Sequence, residues 1–216
     1  MPSYLNFNYP LQLKLAGKKC IIIGGGKIAE RKVNKLLAAG AKITVIAPVV
    51  TSLLQELWQQ QQLNLYLRPY RPSDLKGAFL VVAATSDSTI NAQIAEEAEK
   101  LQLLVNVVDA PQLGNFLVPG TYHLGQITFS VAGSGTPLLT KLLLQDLQTI
   151  YGKDLAAFAA FLSEQRIMVK KLLPTPDLRS NFWRQVLTPD ILYKIKVGQR
   201  TAAEESINAA IQKLKK

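Results

Sequence analysis

The chain has 216 residues, 48% of them hydrophobic, and a net charge of +10, which suits one main globular domain with an appended part. A single cysteine, Cys20, excludes an internal disulfide, and one cysteine with one histidine excludes an ordinary Cys/His zinc cluster, so no metal site is predicted. Because no apolar run is long enough to span a membrane and the N-terminus lacks a secretory signal pattern, we expect a cytoplasmic protein with no membrane partner.

The first half of the chain alternates short apolar segments with segments of helical periodicity. Strand patterns occur in KCIII, KITVIA, LNLYLRPY, AFLVVAAT and LLVNVVD, and helical patterns occur in AERKVNKLLAAG and STINAQIAEEAEKL. Such alternation indicates parallel strands joined by right-handed crossovers. We therefore predict a Rossmann-like, doubly wound α/β domain over residues 1–113.

A glycine-rich turn separates the first predicted strand from the first predicted helix. Gly24, Gly26 and Ala29 form a GxGxxA pattern, in which the first glycine makes the turn and the second lets the backbone approach a pyrophosphate. A tight strand-to-helix turn without a ligand is the alternative explanation. We predict a dinucleotide site, with NAD as the cofactor, formed by Gly24, Gly25, Gly26, Lys27, Ile28 and Ala29.

The second predicted strand lacks the acidic residue that usually binds the adenosine ribose at its end. Ala47, Pro48 and Val49 stand there instead, so backbone groups of these three residues are expected to hold the ribose. The preference for NAD over NADP is left open by this departure.

Polar side chains follow the fourth and fifth predicted strands, where the ligand crevice of a parallel sheet lies. Thr85 ends AFLVVAAT, and Asn106 and Asp109 belong to NVVDAP. Asp109 follows an apolar run, so we expect its carboxyl group to be partly desolvated and suited to general acid or base chemistry. A cap of the following turn is an equally good interpretation of Asp109 from spacing alone.

The chain changes character after the last predicted parallel strand. Residues 114–150 contain a β-rich stretch, ITFSVA, and then a helix that begins after Thr136 and carries leucines on more than one face, which favours a homodimer interface. Residues 151–216 are predicted to form a helical C-terminal domain. This tail holds twelve basic and six acidic residues, and since no nucleic-acid-binding signature occurs, we expect an anionic small molecule rather than a nucleic acid as the partner.

Several separated segments together carry a family resemblance that extends over nearly the whole chain. They are IIIGGGKIAERKVNKLLAAGAKITVIAP, VVAATSDSTINAQIAEEA, VNVVDAPQLGNFLVPG, RIMVKKLL and NFWRQVL. In this order they resemble the precorrin-2 dehydrogenase and sirohydrochlorin ferrochelatase family, which includes the N-terminal module of sirohaem synthase.

The resemblance implies oxidation of the tetrapyrrole precorrin-2 to sirohydrochlorin with NAD+, by a homodimer with a Rossmann domain, a dimerisation segment and a helical tail. Some family members also insert Fe2+ into sirohydrochlorin, so Fe2+ is a candidate second substrate. Asp109 matches the aspartate of the family's NVVDAP motif, to which proton handling is assigned. The substrate-binding candidates are Asn106, Ser134, Thr136 and His123; the turn AGSGTP departs from the family's serine-rich pattern.

Two other classes of function are compatible with the glycine-rich turn. A non-catalytic NAD(H)-sensing dimeric regulator would use the Rossmann domain without needing Asp109. The crevice of such a regulator would also lack cationic groups for a polyacid. The second class is an unrelated small-molecule NAD(P) reductase. Turnover of precorrin-2 separates both from the main interpretation.

Overall fold

The computed structural model describes residues 8–133 and 136–215. These residues form two compact units, one up to Val118 and the other from Pro119 onward. The three-part division predicted from the sequence, with boundaries after residues 113 and 150, stays a prediction. Along the described residues, no helix combines the length and the apolar character needed to cross a membrane.

A five-stranded parallel sheet forms the centre of the first unit. Its strands are β1 (Lys19–Ile23), β2 (Lys42–Ile46), β3 (Asn64–Tyr66), β4 (Leu80–Ala83) and β5 (Leu104–Val107), and the order across the sheet is β3-β2-β1-β4-β5. The helices between them are α1 (Lys27–Ala38), α2 (Ser52–Gln59) and α3 (Ser88–Lys100), with short 3-10 turns at Pro72–Leu75 and Pro111–Leu113. The predicted doubly wound α/β fold is confirmed.

Helices cover both faces of this sheet, so side chains on both sides of its central strands are buried. These strands are nearly continuous apolar runs for this reason. Cys20 and Ile22 of β1 pack in one core cluster with Val33 of α1. Ile21 and Ile23 pack in the other, with α3 residues such as Ile94. α1 and α3 therefore cover opposite faces of the sheet.

The strand order reverses between β1 and β4, where a doubly wound sheet opens its ligand crevice. Ile23 pairs with Ala83, and Ala83 pairs with Val107. Since these pairs lie at the carboxyl ends of their strands, the segments that follow β1, β4 and β5 emerge side by side at one edge.

The third strand is shorter than the sequence predicts. LNLYLRPY was expected to be extended throughout, but β3 ends at Tyr66 because the chain turns there, with the Arg68 backbone N–H donating to the Tyr66 carbonyl at 2.9 Å. The Arg68 side chain then forms a two-pronged ion pair with Asp74, at 2.8 and 2.6 Å. This pairing, together with a hydrogen bond from the Arg71 backbone, holds the pKa of Asp74 below its ordinary value of 3.8.

The Arg68–Asp74 pair should contribute measurably to stability, because the Asp74 side chain is only 9% exposed. We expect Asp74→Asn to lower the free energy of unfolding at neutral pH by about 1–3 kcal/mol. Since the folded pKa of Asp74 is depressed, this contribution is complete above pH 3.8 and is lost as the pH falls through the lower folded value. Denaturant unfolding at neutral and acidic pH measures the difference.

The control for this prediction is Asp190→Asn, which removes a pair with Lys194 in which Asp190 is 65% exposed. We expect that change to alter stability by less than about 0.5 kcal/mol at any pH. Equal effects of the two substitutions would contradict the assignment.

The second unit begins with an antiparallel hairpin and continues as helices. The hairpin consists of β6 (Gly120–Leu124) and β7 (Ile127–Val131), and the helices are α4 (Pro137–Ile150), α5 (Lys153–Leu172), α6 (Pro176–Val186), α7 (Pro189–Lys196) and α8 (Arg200–Lys213). Phe158, Phe182, Ile195 and Ile207 belong to the core that joins α5 to α8. The predicted small α+β segment and the helical tail are confirmed as secondary structure.

α4 is the exception among the long helices, because none of its residues is buried. Its Leu144 and Thr140 lie against Gly120 of the hairpin. Leu138, Leu139, Leu142 and Leu143 remain exposed. An apolar helix face of this kind marks a surface that a partner can cover.

Candidate active site

The glycine turn between β1 and α1 is shaped by its neighbours at the sheet edge. Gly24 has φ +123°, a conformation that favours glycine, and its backbone N–H donates to the Ile46 carbonyl at 3.0 Å. A Cβ at Gly24 would overlap the carbonyl of Ala84, and a Cβ at Gly25 would overlap the carbonyl of Val49. These two glycines are therefore required by the packing of the protein itself.

Gly26 differs from the other two glycines because open space surrounds it. It is exposed, it is the N-cap of α1 with φ −82°, and a Cβ there would meet no atom within 4 Å. Among residues 8–133 and 136–215, no side chain caps the helix at this end. An uncapped helix start next to a backbone with room on its Cβ side is an arrangement that suits a phosphate group.

The other residues predicted at the glycine turn divide by burial. Ala29 is buried against the sheet, whereas Lys27 and Ile28 are exposed. Lys27 forms an ion pair with Glu30 at 3.2 Å. The predicted close packing of the helix through Ala29 is found, and the roles of Lys27 and Ile28 toward a cofactor stay predictions.

The segment after β2 folds over the glycine turn. Ala47 is buried, Pro48 and Val49 are exposed, and the Thr51 backbone N–H donates to the Gly25 carbonyl at 3.0 Å. No carboxylate occurs among residues 47–51, as the sequence indicates. Glu30 of α1 interacts with this segment: hydrogen bonding to Thr51 and to Lys27 holds the pKa of Glu30 below its ordinary value.

Thr85 and Asp109 are joined by a third residue that the sequence interpretation overlooked. The Thr85 hydroxyl donates to Oδ1 of Asn91 at 2.8 Å, and Nδ2 of Asn91 donates to Oδ1 of Asp109 at 2.9 Å. Asn91 lies in the first turns of α3 and is 0% exposed. The structure therefore brings Thr85 and Asp109 together, as predicted, through a buried amide.

Asp109 itself is exposed in the single chain, so the predicted partial desolvation of its carboxyl group is wrong. The physical reason is position: β5 ends at Val107, and Asp109 lies two residues beyond it, in a bend before Pro111. Asp109 therefore lies at the edge of the sheet where the strands end. Thr85 lies at the same edge, directly after Ala84, whose carbonyl is next to Gly24.

Asn106 lies elsewhere, although it belongs to the same short motif as Asp109. It is buried, its Oδ1 accepts a hydrogen bond from Lys32 at 2.9 Å, and its Nδ2 donates to the Phe116 carbonyl at 3.2 Å. Asn106 pairs with Val82, whose side chain packs on the α1 face of the sheet, whereas Asn91 extends from α3 on the other face. The structure does not bring Asn106 to Asp109, and its role in substrate binding stays a prediction.

Lys32 is a partly buried cation on α1 that the sequence analysis did not single out. Burial lowers the pKa of Lys32, and the neighbouring charges of Arg31 and Lys35 lower it further. In the sequence, Lys32 is a charged residue within a helical pattern, seven residues after Gly25. Nothing in that pattern distinguishes it from a solvent-exposed lysine.

Comparison with known proteins identifies the family. The family model NAD_binding_7, described as "Putative NAD(P)-binding", matches residues 11–120, and the model described as "Sirohaem synthase dimerisation region" matches residues 154–211. The sirohaem synthase of Methylobacillus flagellatus is 34% identical over 203 residues, and that of Nitrosospira multiformis is 36% identical over 205 residues. The chain belongs to the precorrin-2 dehydrogenase and sirohydrochlorin ferrochelatase family. The resemblance predicted from the sequence is thus confirmed.

The relatives of this family differ in length from the chain. The alignment with the Methylobacillus protein covers 94% of this chain and 44% of that protein, and the Nitrosospira alignment covers 93% and 43%. A solved structure titled SirC, precorrin-2 dehydrogenase, has a TM-score of 0.75 and 26% identity, and the match covers 94% of this chain and all of that one. The chain therefore spans less than half of these sirohaem synthases and matches the full length of a shorter family member.

The remaining predicted site residues of this family member lie in the second unit. His123 is exposed on β6, where its Nδ1 lies 3.1 Å from the Thr128 hydroxyl, and Thr136 is the exposed residue before α4. Ser134 lies outside the described residues. Substrate contacts from these three residues stay predictions, as does the dimer contact within residues 114–150, which the matched dimerisation region does not cover.

Proposed function

We propose that the chain oxidises precorrin-2 to sirohydrochlorin, with NAD+ as the hydride acceptor. The observation that carries the proposal is the alignment of the ends of β1, β4 and β5, which gathers the glycine turn, Thr85 and Asp109 at one edge of the sheet. Two findings support the choice of substrate: the match to a whole precorrin-2 dehydrogenase and the sirohaem synthases among the relatives.

The residues of the glycine turn fit a dinucleotide. Gly24 and Gly25 close the turn against neighbouring backbone, while the open space at Gly26 and the uncapped start of α1 can hold the pyrophosphate. We assign cofactor binding to residues 24–29 and 47–49 and to Thr85. When bound, NAD+ supplies the acceptor for a hydride and its two electrons.

Asp109 is the group that we assign to the proton. The oxidation removes one hydride, which leaves with two electrons, and a proton from the carbon skeleton of the substrate. Asp109 is exposed toward solvent at the sheet edge, and its Oδ1 is held by Asn91. Within the part of the chain that the structure describes, no hydrogen bond engages Oδ2, so this oxygen can accept that proton. Solvent access then allows the carboxylic acid to release the proton between turnovers.

Charge complementarity supports a polycarboxylate substrate such as a tetrapyrrole. The helical tail carries most of the excess positive charge, and its exposed cations include Arg166, Lys170, Lys171 and Arg184. Such a field attracts a polyanion and raises its local concentration. Use of Fe2+ as a further substrate and a cytoplasmic location stay predictions.

We further propose a homodimer in which α4 is part of the interface. Four exposed leucines on one helix form an apolar surface, and a sirohaem synthase dimerisation region matches the helices that follow it.

We expect Leu142→Lys to raise the dimer dissociation constant at least about tenfold, because burying a charge within an apolar contact carries a large desolvation penalty. Leu101→Lys changes a leucine of the first unit with similar exposure, 45% against 52% for Leu142, and should leave dimerisation unchanged; sedimentation velocity measures both. Equal behaviour of the two variants would contradict the assigned interface.

The test of the proposed function is anaerobic incubation of the purified protein with precorrin-2 and NAD+. We expect NADH and sirohydrochlorin to appear in equal amounts, each followed by its absorption spectrum. Absence of conversion, with a folded protein and intact substrate, would reject the proposal. If NAD(H) still bound without turnover, the NAD(H)-sensing regulator would be the better interpretation.

A further inference from the structure

Asn91 is a buried polar residue whose side chain connects the ends of two strands. Its Oδ1 accepts hydrogen bonds from the backbone N–H of Thr85 at 3.2 Å and from the Thr85 hydroxyl at 2.8 Å. Its Nδ2 donates to the Thr85 carbonyl at 3.2 Å and to Oδ1 of Asp109 at 2.9 Å. Both hydrogens of the amide are therefore used, and its oxygen faces two donors, although the single hydroxyl hydrogen of Thr85 is shared with the Asp87 carbonyl at 2.9 Å.

The orientation of this amide follows from the chemistry of its partners. A backbone N–H can only donate, so it must face the amide oxygen; a carbonyl and a carboxylate only accept, so they must face the amide nitrogen. Of the side chains of this size, only asparagine satisfies both sides. An aspartate at position 91 would place a carboxylate oxygen against two acceptors.

α3 gives this amide a fixed location. The helix begins after Asp87, whose carboxylate caps the N–H groups of Thr89 and Ile90, and Ile94 anchors the next turn in the core. Asp109, in contrast, is exposed beyond the end of β5, and among the described residues Asn91 alone hydrogen-bonds to its side chain. An exposed carboxylate without such a tether would populate several rotamers.

We propose that Asn91 is a positioning residue, which holds the Asp109 carboxylate in one orientation and in register with Thr85. This inference rests on the proposed function, in which Asp109 accepts the proton and Thr85 lies beside the cofactor. In this role Asn91 touches neither substrate nor cofactor. It restricts the Asp109 side chain to fewer rotamers, so that the carboxylate is already oriented toward the atom from which it takes the proton.

The experiment compares kcat and KM for five variants with the wild-type protein: Asn91→Ala, Asn91→Asp, Asp109→Ala, the combination of Asn91→Ala with Asp109→Ala, and Ile94→Ala as the matched control. Ile94 is equally buried on the same helix and its side chain has no hydrogen-bonding group, so its truncation reports general destabilisation of α3. Thermal unfolding of each variant establishes that the control is at least as destabilised as Asn91→Ala.

We expect Asn91→Ala to lower kcat about tenfold with both KM values within about threefold of wild type, since placement of the acid and not binding is lost. Ile94→Ala should keep kcat within about threefold. In the Asp109→Ala background, the Asn91 substitution should have no further effect on kcat, because its influence passes through Asp109. Asn91→Asp should be at least as impaired as Asn91→Ala.

Three results would overturn the inference: wild-type kcat in Asn91→Ala, an equal loss in Ile94→Ala, or an undiminished effect of Asn91→Ala when Asp109 is already absent. Failure of the proposed function is a separate result, seen as absent turnover by the wild-type protein. In that case crystal structures decide the positional claim, which requires one Asp109 rotamer in the wild type and several in Asn91→Ala; a single shared rotamer would contradict it.

Discussion

Replacing Asp109 with alanine is expected to lower kcat for precorrin-2 oxidation by about 10²- to 10⁴-fold, which is the usual contribution of a positioned acid or base. The dissociation constant for NAD+ should change little, since the glycine turn lies between β1 and α1 and, among the described residues, no hydrogen bond joins it to the Asp109 side chain. Steady-state kinetics together with fluorescence titration of the cofactor separate the two effects.

Asp109→Asn sharpens this prediction, because asparagine keeps an oxygen that can accept the hydrogen bond from Asn91 but cannot take up a proton. We expect nearly the same loss of kcat as for Asp109→Ala. Asp177→Ala removes another exposed aspartate, at the start of α6, and should leave kcat unchanged. Wild-type activity in Asp109→Asn would show that the hydrogen bond, and not proton transfer, is the contribution of this residue.

Gly26→Ala is expected to weaken NAD+ binding by about 10- to 100-fold without lowering stability. A methyl group at this position would have no atom of the described residues within 4 Å, so the fold accommodates it. It would occupy the space assigned to the pyrophosphate, and an overpacked contact costs about 1–3 kcal/mol, or one to two factors of ten in affinity. Isothermal titration with NAD+ and thermal unfolding measure the two properties.

Gly152→Ala is a matched control for Gly26→Ala. Gly152 is also an N-cap, that of α5, with extended backbone and open space where a Cβ would lie. We expect the same small change in stability and no change in NAD+ affinity. Gly24→Ala gives the opposite pattern: the overlap with the Ala84 carbonyl and the φ of +123° should reduce the free energy of unfolding by about 3 kcal/mol or more. A Gly26→Ala protein with unchanged NAD+ affinity would remove the glycine turn from the cofactor site.

The features of the fold that sequence reasoning recovered are those that local chemistry determines. KCIII, KITVIA and AFLVVAAT are largely apolar, with their lysines at the first position, and a strand requires this when helices cover both faces of its sheet. The glycine turn was recognisable because the carbonyls of Ala84 and Val49 leave no room for side chains at Gly24 and Gly25. β3 was predicted too long because the pattern continues through Leu67 while the backbone turns at Arg68 to pair with Asp74.

The site was recovered less completely, because its geometry depends on contacts between distant segments. Asp109 follows an apolar run and was expected to be partly desolvated, yet the chain leaves the sheet before reaching it. Asn91 carried a signal that was not used: it occupies a position of the buried stripe of α3, with Ile94, Ala95 and Ala98, where a polar residue needs a partner. The identity of that partner, eighteen residues away in sequence, requires the folded structure.

The crystal structure of the protein with NAD+ bound tests the central claim most directly, because the claim is that cofactor and acid share one edge of the sheet. We predict that the pyrophosphate lies against Gly26 and the first N–H groups of α1, with the nicotinamide ring extending past Thr85 toward Asp109. A dinucleotide bound away from the glycine turn, or one whose nicotinamide points toward β3, would contradict the account.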